Sequence, residues 1–178
     1  MRDRDGDRDR TGHVADADVN EEDLKQRIAD RMPQCGVTVP KPGRLIATVP
    51  RDGLLSLLHL LKTDGFEHLS LISCVDWIDE GELELVYHLW SQEKKVHAMA
   101  KTRVDRASPR MLSVILLFRH AQTYERELHE MFGIDFDGNP RQVPLLLDHW
   151  QGIPPMRKEF DLRRHARETF GVEERTDD

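Results

Sequence analysis

His129-Glu130 begins like H-E-x-x-H, the helical zinc motif with two histidines one turn apart and a glutamate base between them. Gly133 stands where the second histidine is required, so a zincin helix is excluded. Nine histidines keep other metal sites in view. His88 and His97 fall on neighbouring predicted strands and can approach each other. No third ligand accompanies them, and packing or surface histidines are the simpler explanation. Glu125, Glu127 and Glu130 offer carboxylates for general acid–base work. With Arg126 among them and a turn of helix between Glu127 and Glu130, an ion-pair network at a helix end is the more economical account.

Other chemistries find less support. Ser73-Cys74 has no accompanying histidine–acid pattern, and no G-x-S-x-G occurs. No glycine loop matches G-x-G-x-x-G or a Walker sequence, which removes the usual phosphate cradles. Cys35 and Cys74 lie in no C-x-x-C and are too few for an iron–sulfur cluster or zinc knuckle. They read as reduced structural thiols rather than a disulfide framework.

The elements that must position these groups follow from periodicity. Asn20 with Glu21, Glu22 and Asp23 marks a helix start, Leu24, Ile28 and Met32 repeat at helical spacing, and Pro33 closes the helix. Arg44 to Val49 reads as a strand ended by Pro50. A leucine-rich helix then runs from Gly53 to Asp64-Gly65. Three strands follow, His68–Trp77, Glu82–Trp90 and Lys95–Arg103, with short connectors that favour antiparallel hairpins. Trp77 and Trp90 are expected in the core at strand ends. Val114, Leu117, Phe118, Ala121, Leu128, Met131 and Phe132 predict a helix over much of 113–132, with room for a break, ended at Gly133.

Beyond Gly133 the chain is turn-rich, and Pro144, Pro154 and Pro155 punctuate an apolar stretch containing Trp150. Such a stretch builds no core of its own and must lie over another surface, of this domain or of a partner. The expected fold class is α+β: a mostly antiparallel sheet with helices packed on one face, plus an extended proline-rich C-terminal arm. Residues 1–20, which alternate Arg and Asp, are expected to be a disordered charged tail, followed by a domain over 21–133, a docking arm over 134–162 and a charged tail over 163–178.

A chain of 178 residues can bury one real core. Its net charge of −7 argues against a general nucleic-acid or acidic-membrane binder. No apolar run reaches the ~20 residues of a membrane span, and the N-terminus lacks the apolar core of a signal peptide. The expected place is the cytoplasmic side of the cell membrane, held there peripherally by partners.

Tyr124-Glu125-Arg126-Glu127, Met131-Phe132-Gly133-Ile134, Phe136, Gly138, Pro140, Asp148, Trp150, Gly152 and Pro155-Met156-Arg157-Lys158-Glu159-Phe160 together resemble the signature of the respiratory complex I 30 kDa subunit family. Ser113-Val114 to Phe118 and the Glu84–Leu89 strand are similar to that family as well, so the likeness spans about residues 44–162. The resemblance implies a subunit of the hydrophilic arm of complex I or its relatives, among them group 4 membrane-bound [NiFe] hydrogenases. It also implies that this chain holds no redox cofactor, and that [NiFe] or quinone sites and iron–sulfur clusters lie in partner subunits. Those partners are the large hydrogenase-like (49 kDa-type) subunit and a small iron–sulfur subunit. Glu130, Asn139, Pro144, His149 and Ile153-Pro154-Pro155 depart from the complex I pattern and resemble the hydrogenase-type branch more.

The leading expectation is therefore a non-catalytic structural subunit of an ion-translocating electron-transfer complex. Docking would fall to Tyr124, Glu125, Arg126, Glu127, Phe132, Gly133, Phe136, Trp150, Pro155, Arg157 and Lys158. Two alternatives compete with it: an independent hydrolase built on Glu127, His129 and Glu130, and an adaptor unrelated to redox chemistry.

Overall fold

The computed structural model describes residues 21–171; the expected N-terminal tail and residues 172–178 lie outside the described residues. Helix α1 (Glu21–Arg31) has three acids in its first turn and Arg31 in its last, the distribution a helix dipole favours. It buries Leu24 and Ile28, one turn apart. Strands β1 (Gly36–Lys41) and β2 (Arg44–Thr48) form an antiparallel pair. Sequence periodicity does not reveal β1, because Pro40 interrupts it and Pro42 follows it directly. The strand survives because it is an edge, where a proline withholds no central ladder bond.

Helix α2 (Leu54–Thr63) buries Leu54, Leu57, Leu58, Leu60 and Leu61. It leads to the predicted meander of β3 (His68–Trp77), β4 (Glu82–Ser91) and β5 (Val96–Asp105), both of whose pairings are antiparallel. The sheet order is β1-β2-β5-β4-β3, and β5 lies parallel to β2. A parallel neighbour needs a long connection, and α2 with the β3–β4 hairpin supplies it. The fold class is as expected: α+β, with a mostly antiparallel five-stranded sheet.

Alternation along β4 and β5 sorts the two faces. Leu83, Leu85, Tyr87, Leu89, Ala98 and Ala100 join Leu24, Ile28 and the α2 leucines in one core. The alternate residues, including Glu84, Val86, His88, Trp90, His97, Met99 and Lys101, line the opposite face. This corrects the placement of two tryptophans. Trp77 pairs with Glu82 and Trp90 with His97, so pleat parity sends both to the open face. There the Arg103 guanidinium lies 5.3 Å from the Trp77 ring and His97 packs 4.3 Å from Trp90.

Two further differences concern the C-terminal half. Helix α3 begins at Ala121 (Ala121–Phe132), and residues 114–118 form a tight turn instead of helix. The Val114 carbonyl accepts from both Leu117 and Phe118 N–H (2.9 and 2.8 Å), while the Leu117 carbonyl is taken by the Lys62 ammonium. The Val114 N–H is held by Glu125 (2.7 Å). Beyond α3, β7 (Asp135–Asp137) pairs in parallel with β6 (Arg110–Leu112). Ile134 and Phe136 are fully buried, so residues 134–139 pack as part of the domain, and the segment outside its core begins near Pro140. Three residues of Asp-Phe-Asp are too short to announce a strand, and only the partner β6 makes one. Last comes α4 (Leu162–Phe170), whose first turn is capped by the Asp161 side chain accepting from the Arg164 N–H (3.0 Å).

Candidate functional site: the junction of helix α3 and the C-terminal arm

Helix α3 carries the densest part of the motif, and its faces have separate tasks. Tyr124 and His120 point at the free edge of β3. The Tyr124 hydroxyl donates to the Ser70 carbonyl (2.8 Å) and His120 Nε2 to the Leu69 carbonyl (2.8 Å). Side chains thus cover an edge whose unpaired carbonyls would otherwise invite another strand. Glu125 points inward and is fully buried. Its carboxylate accepts from the Ser113 hydroxyl (2.7 Å), the Val114 N–H (2.7 Å) and Asn139 Nδ2 (2.8 Å). One acid therefore ties α3 to the 113–118 turn and to the turn after β7. Burial pushes the Glu125 carboxyl up from its ordinary value, and these three donors oppose that shift. Leu128 and Phe132 complete the buried stripe.

The outward face of α3 grips the arm. Arg126 donates to the carbonyls of Val143 (3.2 Å) and Pro144 (2.8 Å). One turn later, the Glu130 carboxylate accepts the N–H groups of Leu145 (3.3 Å), Leu146 (2.9 Å) and Leu147 (2.8 Å). A proline-punctuated chain has few intrachain partners for its amides, and these two side chains supply them. Gln142 does the same for β7, bonding both the N–H and the carbonyl of Phe136 (3.0 and 3.1 Å).

The helix ends on Gly133, whose φ of +73° is the left-handed conformation that closes helices. A Cβ there would stand 3.1 Å from Pro154 Cγ, so the glycine also lets the arm come close. Arg157 Nε caps the Phe132 carbonyl (2.8 Å), and the Met156 N–H bonds Met131 O (3.0 Å). Half-buried Pro155 lies between these tethers and Pro154. The Lys158 N–H reaches across to the Asp76 carboxylate (2.9 Å), leaving its own side chain exposed. Asp76, 4% exposed at the end of β3, is paired with Arg106, which also bonds Glu159. The Arg106 hydrogen bond holds the Asp76 carboxyl below its ordinary value. Trp150 packs within the arm, 5.4 Å from Phe160 and 4.7 Å from His165.

The residues singled out in the sequence take different places in the structure. Glu125, Phe132 and Phe136 are buried in this domain and can shape a docking surface only by fixing what surrounds them. Arg126 holds the arm's carbonyls, and Arg157, on the arm, holds the Phe132 carbonyl at the end of α3. Glu127 is exposed, as is Lys158, and these two present charge outward. His129 Nδ1 donates to the Ile134 carbonyl (3.0 Å) and Glu130 is occupied by amides, so Glu127, His129 and Glu130 do not converge on a reacting position. Sequence reasoning missed Asp76, Arg106 and Asn139 as anchors. They sit 82, 53 and 14 residues from the groups they hold, and no local pattern marks such pairs.

On the open sheet face His88 and His97 do approach, with ring centroids 5.0 Å apart. Burial, then His97, draws the His88 imidazole below its ordinary pKa. Among the described residues no group of three or more His, Cys, Asp or Glu side chains could hold a metal ion.

Residues 47–166 match the family model described as "Respiratory-chain NADH dehydrogenase, 30 Kd subunit". A subunit of the F(420)H(2) dehydrogenase of Methanosarcina mazei is 35% identical over 142 residues, 79% of this chain and 89% of its own. A subunit of the NADH-quinone oxidoreductase of Citrifermentans bemidjiense is 31% identical over 150 residues, 83% of this chain and 91% of its own. A solved chain of the membrane-bound sulfane sulfur reductase, an archaeal respiratory membrane complex, superimposes with a TM-score of 0.81 at 36% identity, covering 89% of this chain and 95% of that one. Those relatives are subunits of multi-subunit, complex I-like oxidoreductases. The match covers α2, the meander, the α3 junction and the arm alike, and the chain belongs to the 30 kDa subunit family of the respiratory-chain NADH dehydrogenase.

Proposed function

We propose that this chain is a structural docking subunit of a complex I-like, ion-translocating oxidoreductase, seated on the large hydrogenase-like subunit beside a small iron–sulfur subunit. In this reading it carries no redox cofactor and performs no catalysis. It meets the membrane only through its partners, on the cytoplasmic side; no helix among the described residues is long and apolar enough to cross a membrane. The observation that carries the reading is the use made of the motif. Arg126, Glu130, Gly133 and Arg157 hold a proline-rich arm in place, and that arm leaves Val143, Leu146, Ile153 and Met156 exposed. An apolar surface held by so many tethers suits a partner, because its ordering entropy is met before binding. An independent hydrolase would instead need Glu127, His129 and Glu130 to converge.

Deletion of residues 141–178 tests the proposal. A cut at 134 would remove the buried Ile134 and Phe136, so it must fall after Pro140. The truncated chain should still melt cooperatively yet no longer co-purify with the large subunit. Retained assembly would refute docking through the arm.

A further inference from the structure

Leu116 is 94% exposed, the most exposed large apolar side chain among the described residues. It sits at the tip of the 114–118 turn, which is held from every side. Buried Val114 and Phe118 root it, and Glu125 takes the N–H of Val114 and the hydroxyl of Ser113. The Lys62 ammonium bonds the Leu117 carbonyl and lies 5.2 Å from the Phe118 ring. Leu116 therefore projects from a rigid base, and nothing in the fold requires a leucine there. Shallow depressions of about 480 and 440 Å³ flank it, one lined by Leu55, Ser56, His59, Ser113 and Leu117, the other by Ile115, Arg119 and Gln122. Their ionisable lining residues are His59 and Arg119, both exposed. On a chain of net charge −7, a patch whose lining includes Arg119 and no acid is set apart from the average surface.

We propose that this turn is a second docking point, separate from the arm, where Leu116 enters an apolar socket on a neighbouring subunit. The socket's rim is acidic, with a carboxylate facing Arg119. The inference rests on the reading of this chain as a subunit of a larger complex. It follows the general anatomy of tight contacts, in which one rigid apolar anchor fills a pocket and charges around it set register. A pre-held anchor also binds without a further ordering cost.

The experiment uses the full chain expressed with its complex, comparing Leu116→Asp, Leu116→Met and Arg119→Glu with the parent. Leu116→Asp should leave the melting temperature of the full chain unchanged, since the side chain makes almost no contact within it. It should weaken retention of this subunit in the purified complex by roughly tenfold to a hundredfold, the equivalent of one buried leucine. Leu116→Met should retain assembly and Arg119→Glu should weaken it. Full retention by Leu116→Asp would overturn the inference. So would a concentration-dependent dimer of the isolated full chain that Leu116→Asp abolishes, because the socket would then belong to a second copy. The 141–178 deletion separates the two claims. Assembly lost on deletion but kept by Leu116→Asp refutes only this contact, whereas assembly kept on deletion refutes docking through the arm and leaves the Leu116 contact to its own variants.

Discussion

Asp76 and Arg106 form a two-point ion pair, with Arg106 Nε and Nη2 at 2.7 and 3.0 Å from the two carboxylate oxygens, and the same carboxylate receives the Lys158 N–H. The end of the arm is thereby fastened to the end of β3 by a buried charge rather than by apolar packing. Asp76→Asn removes the charge but leaves Arg106 paired with Glu159, so the loss is that of charge-assisted hydrogen bonds rather than of a wholly unpaired buried ion. Asp76→Asn should therefore destabilise the chain by about 2 kcal/mol. It should also expose the Arg157–Lys158 bonds to trypsin under native conditions. An unchanged digestion pattern would mean that the arm is held elsewhere.

The same pair sets a pH dependence. Arg106 holds the folded Asp76 carboxyl below its unfolded value. Its contribution is therefore complete above the unfolded value and lost as pH falls through the depressed folded one. Protection of the amides of residues 156–160, taken relative to the intrinsic exchange rate at each pH, should fall only on acidification into and below the ordinary aspartate range. Loss of protection on raising the pH instead would contradict the assignment.

Glu125 should behave in the opposite sense. Burial raises its folded value, so its contribution is complete below the unfolded value and declines as pH rises through the folded one. Glu125→Gln removes the titration, and the stability of the parent relative to this variant should fall as pH rises through the glutamate range. Glu125→Ala should cost about 3 kcal/mol at neutral pH, because buried Val114 and Asn139 donors lose their acceptor. Chemical denaturation across pH checks both statements, and a flat difference would count against the first.

Glu130→Ala removes the acceptor for three consecutive arm amides. The site is partly exposed and water can replace the carboxylate, so global stability should fall by only about 1 kcal/mol. Exchange at Leu145, Leu146 and Leu147 should nevertheless rise clearly above that of the α3 amides. Equal protection in parent and variant would show that Glu130 does not order the arm.

Gly133→Ala combines backbone strain at φ +73° with a 3.1 Å approach to Pro154. It should cost about 1–2 kcal/mol by strain alone. It should also displace the arm, which is detectable as faster exchange of the Met156 N–H. A variant as stable as the parent would remove the steric argument.

How much of this is open to a reader of the sequence depends on the range of the interaction. The meander is legible because Leu83, Leu85, Tyr87 and Leu89 alternate with neighbours of the other face and the connectors are short. Helix α1 is legible from its acidic first turn, its helical spacing and its closing proline. Local rules of period and punctuation govern such elements. The family, too, lies in the order of residues, from Tyr124 to Phe160.

Tertiary structure decided what those residues do. Pleat parity placed Trp77 and Trp90 on the open face, since one position of register reverses every side chain. A buried carboxylate on α3 captured the Val114 N–H and turned predicted helix into the rigid base beneath Leu116. Pairing with β6 drew Ile134 and Phe136 into the core. Asp76 was attached to an amide 82 residues away, a relation that no spacing encodes. Sequence determined the family and the elements because both are written in short-range pattern. Only the fold could assign the charged residues their partners, because an electrostatic contact depends on distance in space and on exclusion of water.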